Sequence, residues 1–483
     1  RPAASLSHAS FFGASRVRGK RLTVRDPLLA HSRTMPADLH GLPLSTASTA
    51  AADAFNRTLV AYLKYRADTP RQLAAALEAD EDFALAQILR GYFLLLAFNQ
   101  QQVPAAAEAA RAARNAIATT TSREQQHCAA LEAWIAGDLE RALEIWEQIL
   151  AAHPLDLLAF RLAHFNNFWL GRPAAMRASV ERIENKWGAD LPGYGTLLSC
   201  KCFAWEECGE YAIAEPAGRK AVEIDPEDLW GTHALAHVME MQGRTAEGIA
   251  FLGAMERHWA GANNLAHHLW WHRALYHYER HEFEAALDLY DRRFRNLASP
   301  LTQAQPDLYI DVQNAAAMLF RLERQGIAVG ERWVELADKA EARIGDCRSA
   351  FTLPHWMMAL AACGRYTAGN RMLQAMRSFG DGSETLAPIV RDIALPICEA
   401  VLAHRTGNSG RAVDLMRPVL ETMHRLGGSH AQQDVLEQLF LDAALKAHRQ
   451  DDLRRVLVRA ARGKPLPLVQ RVGYAAAQQA LAQ

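Results

Sequence analysis

An all-α array of antiparallel helix pairs is the fold class this sequence predicts. Three observations predict it. From about residue 46 onward the chain is dominated by Ala, Leu, Glu and Arg, which are strong helix formers. Apolar residues recur at three- and four-residue spacing, and runs of strict alternation rich in β-branched residues are missing. The helical stretches are interrupted only by short pieces bearing Gly or Pro, and short breaks between helices make antiparallel neighbours.

The first 25 residues, RPAASLSHASFFGASRVRGKRLTVR, contain no acid but carry Arg16, Arg18, Lys20, Arg21 and Arg25. That composition is shared with transit peptides, and Met35 offers an alternative start. Residues 1–34 are expected to be a disordered extension outside the fold. Residues 35–483 are expected to form a single solenoid.

LERALEIWEQIL (139–150) shows the helical periodicity, with Leu139, Leu143, Trp146 and Leu150 on one face. Breaks follow at AGD (136–138), HPLD (153–156), CGE (208–210), DPED (225–228) and QGR (242–244). Gly137 and Pro154 stand as far apart as Gly209 and Pro226, and an Ala follows each Gly at the same interval, Ala142 and Ala214. This is the tetratricopeptide pattern. The Gly caps a helix in the left-handed region, the Ala lets two helices touch, and the Pro ends the second helix. Partial copies lie at QGRTAEG (242–248), HEFEAALDLYDRRF (281–294), CGRYTAGNRML (363–373) and TGNSGRAVDLM (406–416). At about 34 residues per repeat, the length suggests about 13 helix pairs.

The totals exclude several classes. A net charge of −1 argues against a nucleic-acid partner. No apolar run reaches the roughly 18 residues of a membrane span; YFLLLAF (92–98) is the densest and reads as buried helix. The seven cysteines are odd in number and form no C-x-x-C, which suits reduced thiols in a cytoplasmic protein. Phosphate-cradling, nucleophile-elbow and dinucleotide-binding motifs are missing.

Two stretches carry the chemistry. HALAHVMEM (233–241) places His233, His237 and Glu240 on one helix stripe; HHLWWHRAL (267–275) does the same for His268 and His272. Counted from the turn at Gly243 and from His281, both pairs fall on first helices of adjacent repeats, so they are expected to converge. Three readings compete. The histidines can be neutral core residues holding repeats together. With Trp230, Trp270, Trp271 and Tyr276 they can line a small-molecule site and support acid–base catalysis. They can also ligate a metal, as two His and a carboxylate do in zinc and non-haem iron sites. Metal is the least favoured of the three, because H-E-x-x-H is absent and the order of Glu240 is reversed. LGGS (426–429) reads as a turn with Ser429 capping a helix, followed by Asp434 and Gln438 on one face.

The chain resembles the tetratricopeptide repeat protein 38 family from LPLSTAS (42–48) nearly to its C-terminus. The stretches that carry the resemblance are YAIAEPAGRKAVEIDPEDLWGTHALAHVMEM (211–241), HHLWWHRALYHYERHEFEAALDLYD (267–291), VGERW (329–333), VRDIALPIC (390–398) and LGGSHAQQDVLEQLFLDAAL (426–445). The resemblance implies an all-α repeat array and no particular reaction. It also implies functional interest in His233, His237, His268, His272 and His355, in the acids Glu240 and Asp311, and in the pair Arg332/Trp333. The chain departs from the family at Asn314, where a second acid is expected, and this weakens any two-carboxylate mechanism.

The expected function is therefore a His-rich concave site that binds a small molecule or supports catalysis. Its candidate catalytic residues are His233, His237, Glu240, His268 and His272, and its candidate ligand-binding residues are Asp311, His355, Trp271 and Arg332. The alternative is a scaffold holding a peptide or partner helix in an open groove. No cofactor is assigned, and a homodimer is allowed for without a seam that demands it. Arg332 has a second reading in which it pairs with a neighbouring carboxylate while Trp333 packs between helices.

Overall fold

The computed structural model describes residues 35–462 and 466–482. The expectation for residues 1–34 lies outside them. Helices pair along the chain in order. The first pairs are Thr49–Leu63 (α1) with Thr69–Ala79 (α2), Ala84–Leu95 (α3) with Val103–Ala116 (α4), and Ser122–Ile135 (α5) with Leu139–Ala152 (α6). Next come Leu157–Trp169 (α7) with Pro173–Ile183 (α8), Tyr194–Glu207 (α9) with Tyr211–Ile224 (α10), and Leu229–Met241 (α11) with Thr245–Met255 (α12). Leu265–Glu279 (α13) then pairs with Phe283–Leu289 (α14), and the short Pro300–Ala304 (α15) leads to Tyr309–Arg324 (α16) with Arg332–Ala342 (α17). Thr352–Ala362 (α18) pairs with Tyr366–Gly380 (α19). Ala387–Ile389 (α20) runs through a π-helical turn into Leu395–Arg405 (α21), which pairs with Ser409–Met416 (α22). His430–Lys446 (α23) pairs with Gln450–Ala461 (α24), and Ala475–Ala482 (α25) follows. β structure among the described residues is limited to two isolated bridges.

The pairs are fewer than the length suggested, because irregular segments take up chain. Residues 295–308, 343–351 and 417–429 carry only short helical turns. Turns and tight helix contacts fall at the spaced Gly and Ala positions. Gly137 and Gly209 turn the chain with φ of +82° and +79°, the left-handed region a Cβ disfavours. Ala142 and Ala214 are completely buried where paired helices meet. His281 takes the glycine position of its repeat with φ of +60°. Helix starts are capped by Asp138, Asp156 and Asp228, and Ser429 forms a capping box with Gln432.

The odd-numbered first helices up to α13 form the inner layer. In α11 only Glu240 is left partly accessible; the other twelve residues are buried. Such all-round burial arises because the array curls until its halves meet. The α7–α8 turn packs on the segment before α23: a Cβ at Gly427 would stand within van der Waals overlap of the Trp169 carbonyl. Trp169 also packs edge-on to Tyr309 and against Phe351. Thr385 N–H donates to the Gly137 carbonyl, and Arg343 donates to that of Phe98. Arg321 of α16 reaches the Ala431 carbonyl and Asp434 of α23. Residues from Pro36 onward form one compact unit.

A buried ion network holds the N-terminal pairs together. Asp156 caps α7 and accepts from Arg123 at 3.0 Å and His127 at 3.1 Å, all three being nearly inaccessible. Burial pushes the Asp156 carboxyl up, but His127 and Arg123 more than offset this and hold it far below the usual range. The folded state then binds fewer protons than the unfolded one, so this contribution is full above the unfolded value near pH 4 and falls away as pH drops below it. Asp156→Asn should cost about 3–5 kcal/mol, the cost of leaving a buried partner unpaired. Urea unfolding checks this, and the variant should also lose part of the wild-type stability decline between about pH 4 and pH 2.

Candidate functional site

α11 and α13 are the first helices of adjacent pairs and lie against each other in the inner layer. Each contributes two histidines one turn apart on the facing side. The result is a compact cluster of four imidazoles. Ring centroids lie 4.5 Å apart for His233/His237, 4.4 Å for His237/His272, 4.7 Å for His268/His272 and 4.9 Å for His233/His268. All four are at most 2% exposed. One ring nitrogen from each falls within 4.8 Å of the others, close enough for a single ion to meet all four.

Hydrogen bonds fix which nitrogens face inward. His272 Nδ1–H donates to Glu240 Oε2 at 2.7 Å, and His268 Nδ1–H donates to Asn314 Oδ1 at 2.8 Å. Both rings therefore keep their Nε2 lone pairs free of protons. The Nε2 atoms of His233 and His237 face each other at 2.9 Å. His272 Nε2 and the Nδ1 atoms of His233 and His237 are buried with no hydrogen-bond partner. Burial, reinforced by the neighbouring imidazoles, holds His233, His237 and His268 well below the ordinary range, and burial holds His272 down to about 3. The cluster is thus four neutral imidazoles, three of them with an unsatisfied nitrogen.

Carboxyl groups flank it. Glu206, at the end of α9, is completely buried, and its Oε2 lies 4.0 Å from His237 Nδ1. Burial, with the charge of adjacent Glu207, pushes its pKa well up. Aromatic side chains complete the enclosure. Trp230 and Phe203 cover His233, and Trp271 stacks on His268 at 5.0 Å.

Of the residues singled out from sequence, His233, His237, Glu240, His268, His272 and Trp271 come together here. Asp311 sits on α16 one turn before Asn314 and serves a neighbouring group: it accepts from Asn264 at 2.7 Å and His267 at 3.0 Å. His355 instead donates to the Phe351 carbonyl within its own helix, and burial holds it down to about 4. Arg332 stands apart from the cluster. Its fork is spent on Asp291, at 2.8 and 2.6 Å, and on the Val329 carbonyl, at a partly exposed helix start. Trp333 is buried and donates to Glu323. Asn314, the departure from the expected acid, supplies the same acceptor without the charge.

Sequence reading missed Glu206, Glu207, Asn264 and His267. The pair of acids in AWEECGE (204–210) stands on the inner stripe just before a repeat glycine, and that position was the signal available. Near the cluster, a cavity of about 310 Å³ is lined by Tyr62, Tyr65, Phe93, Phe165, Tyr309 and Asn264, among others. Tyr65 stacks on Trp230, which covers His233. No model of a known protein family matches the sequence.

Asn314→Leu should strip His268 of its acceptor and leave a buried N–H unpaired. A stability loss of about 1–3 kcal/mol is expected, measured by urea denaturation.

Proposed function

We propose that this chain is a tetratricopeptide-type repeat protein of the tetratricopeptide repeat protein 38 kind, closed around a small-molecule site, in which His233, His237, His268 and His272 hold a divalent first-row transition ion. The repeat assignment is supported by the Gly–Ala–Pro spacing, whose members fall at turns and helix contacts. The scaffold alternative needs an open concave groove, and contacts such as Trp169–Phe351 and Arg321–Asp434 run across that side instead.

One observation carries the metal reading: four buried neutral imidazoles converge, one ring nitrogen of each within 4.8 Å of the others, while Glu240 and Asn314 hold two of them from behind. A satisfied polar core would leave far fewer buried ring nitrogens unpaired. Imidazole suits zinc, copper, iron and nickel. An outer acceptor on the far nitrogen is the usual companion of a ligating histidine. An ion in such a site polarises a bound carbonyl or lowers the pKa of bound water, which is the chemistry a hydrolytic or oxidative enzyme needs.

Elemental mass spectrometry of the purified chain tests this reading. The expected result is a single ion per chain, absent from folded His237→Ala and His272→Ala variants. Glu240→Gln should keep the ion but weaken its binding by about 10–100-fold. A chain that carries no metal, and takes up neither Zn²⁺ nor Co²⁺ after chelation and refeeding, would overturn it.

A further inference from the structure

Arg161 is the second buried oddity of the inner layer, and it packs on Trp230, which also covers His233. Its guanidinium is 2% exposed. Nη2 donates to the Tyr65 hydroxyl at 2.6 Å and Nη1 to Cys200 Sγ at 3.1 Å; Nε has no partner. The charge also rests over the Trp230 ring at 4.9 Å. All of these partners are neutral. Burial pushes the Cys200 thiol up to about 11, so it does not supply a thiolate. Asp228 spends one carboxyl oxygen on Gly231 N–H at the start of α11 and makes no ion pair with Arg161. No carboxylate among the described residues lies at ion-pair distance from this guanidinium; Asp228 acts on it only from farther off, and buried charges are ordinarily paired more closely.

Tyr65 connects this charge to the cavity. Its ring lines the 310 Å³ space, and its hydroxyl accepts from Arg161, which leaves the phenolic proton free to be donated. The residue is held with φ of +54°, left-handed backbone that a bulky side chain adopts at a cost. A glycine or asparagine would end α1 there without strain. Retaining a tyrosine at that position points to a use for its side chain. Arg66, Thr69, Asn263, Asn264 and Gln305 are the other polar members of a lining that is otherwise largely apolar; Arg66 donates to the Ala260 carbonyl.

We propose that this cavity binds a small organic monocarboxylate, its apolar body against Tyr62, Phe93, Phe165 and Tyr309 and its anionic end accepting the Tyr65 hydroxyl proton, with Arg161 as the counter-charge. Arg161 is the buried guanidinium joined to the cavity through Tyr65, and one carboxylate matches its single charge; Arg66, also in the lining, is held on the Ala260 carbonyl. The size fits the lower end of small-ligand sites, about 300–1,000 Å³. The inference stands on Arg161, Tyr65 and the cavity, apart from the metal reading, and either can fail alone.

Calorimetric titration of the full chain with phenylacetate, phenylacetamide and phenyl phosphate tests it. Phenylacetate should bind at least tenfold more tightly than both the neutral amide and the phosphate. Tyr65→Phe should weaken the acid by about tenfold, the effect of losing one charge-assisted hydrogen bond, and leave the amide unchanged. Ala97→Trp, which fills the cavity from its wall, should abolish binding while leaving metal content as in the wild type. Arg161→Met should lose the acid's advantage, and its melting temperature should not fall, because an unpaired buried charge is removed. Equal binding of acid and amide, preference for the phosphate, or no binding of the acid would each overturn the proposal. So would acid binding that survives Ala97→Trp in a folded protein.

Discussion

The curling of the helical array is the constraint from which the rest of this structure follows. An open array of helix pairs buries one stripe of each first helix and leaves the concave stripe to solvent. Here the Trp169 turn meets the Gly427 segment and α16 meets α23, so the concave stripe is buried too. α11 consequently has almost no solvent-facing side. Any polar side chain on it must be satisfied within the protein or held for a ligand.

That constraint explains the state of the histidines. On an exposed helix, a His pair one turn apart would titrate near pH 6–7 and interact weakly. Enclosed between α9, α11, α13 and α16, the four rings are held neutral by burial. Their orientation comes from outside the cluster, through Glu240 and Asn314. Neutral, oriented imidazole is the form that ligates metals and accepts protons. The same enclosure pushes the Glu206 pKa well up and leaves Arg161 with only neutral hydrogen-bond partners. Groups of both signs are thus kept in energetically unfavourable states within a short stretch of the inner layer. Strained or unpaired groups of this kind collect at functional sites, where the rest of the fold outweighs their cost.

Trp230 organises the region. It covers His233 on one side, stacks on Tyr65 on another and carries the Arg161 charge over its face. The cavity, the guanidinium and the histidine cluster are therefore joined through a single aromatic side chain.

Helix content, the turns at Gly137 and Gly209, the tight contacts at Ala142 and Ala214 and the cap at Ser429 were legible in the sequence, because each depends on a few neighbouring residues. So was the meeting of the two histidine pairs, since one-turn spacing on successive first helices places both on facing stripes. Glu206, Asn264 and the Arg161–Tyr65 bond were not legible. Each partner comes from another helix, 30 to 100 positions away in the numbering, and its approach depends on how far the array curls. For the same reason Arg332, a plausible ligand-binding residue by type, is found on a surface carboxylate. The sequence by itself determined the paired helices and which residues lie on their buried stripes. Only the tertiary structure decided that the stripe is sealed, because curvature is the sum of small packing rotations between successive pairs. That sealing makes the imidazoles neutral and the guanidinium unpaired.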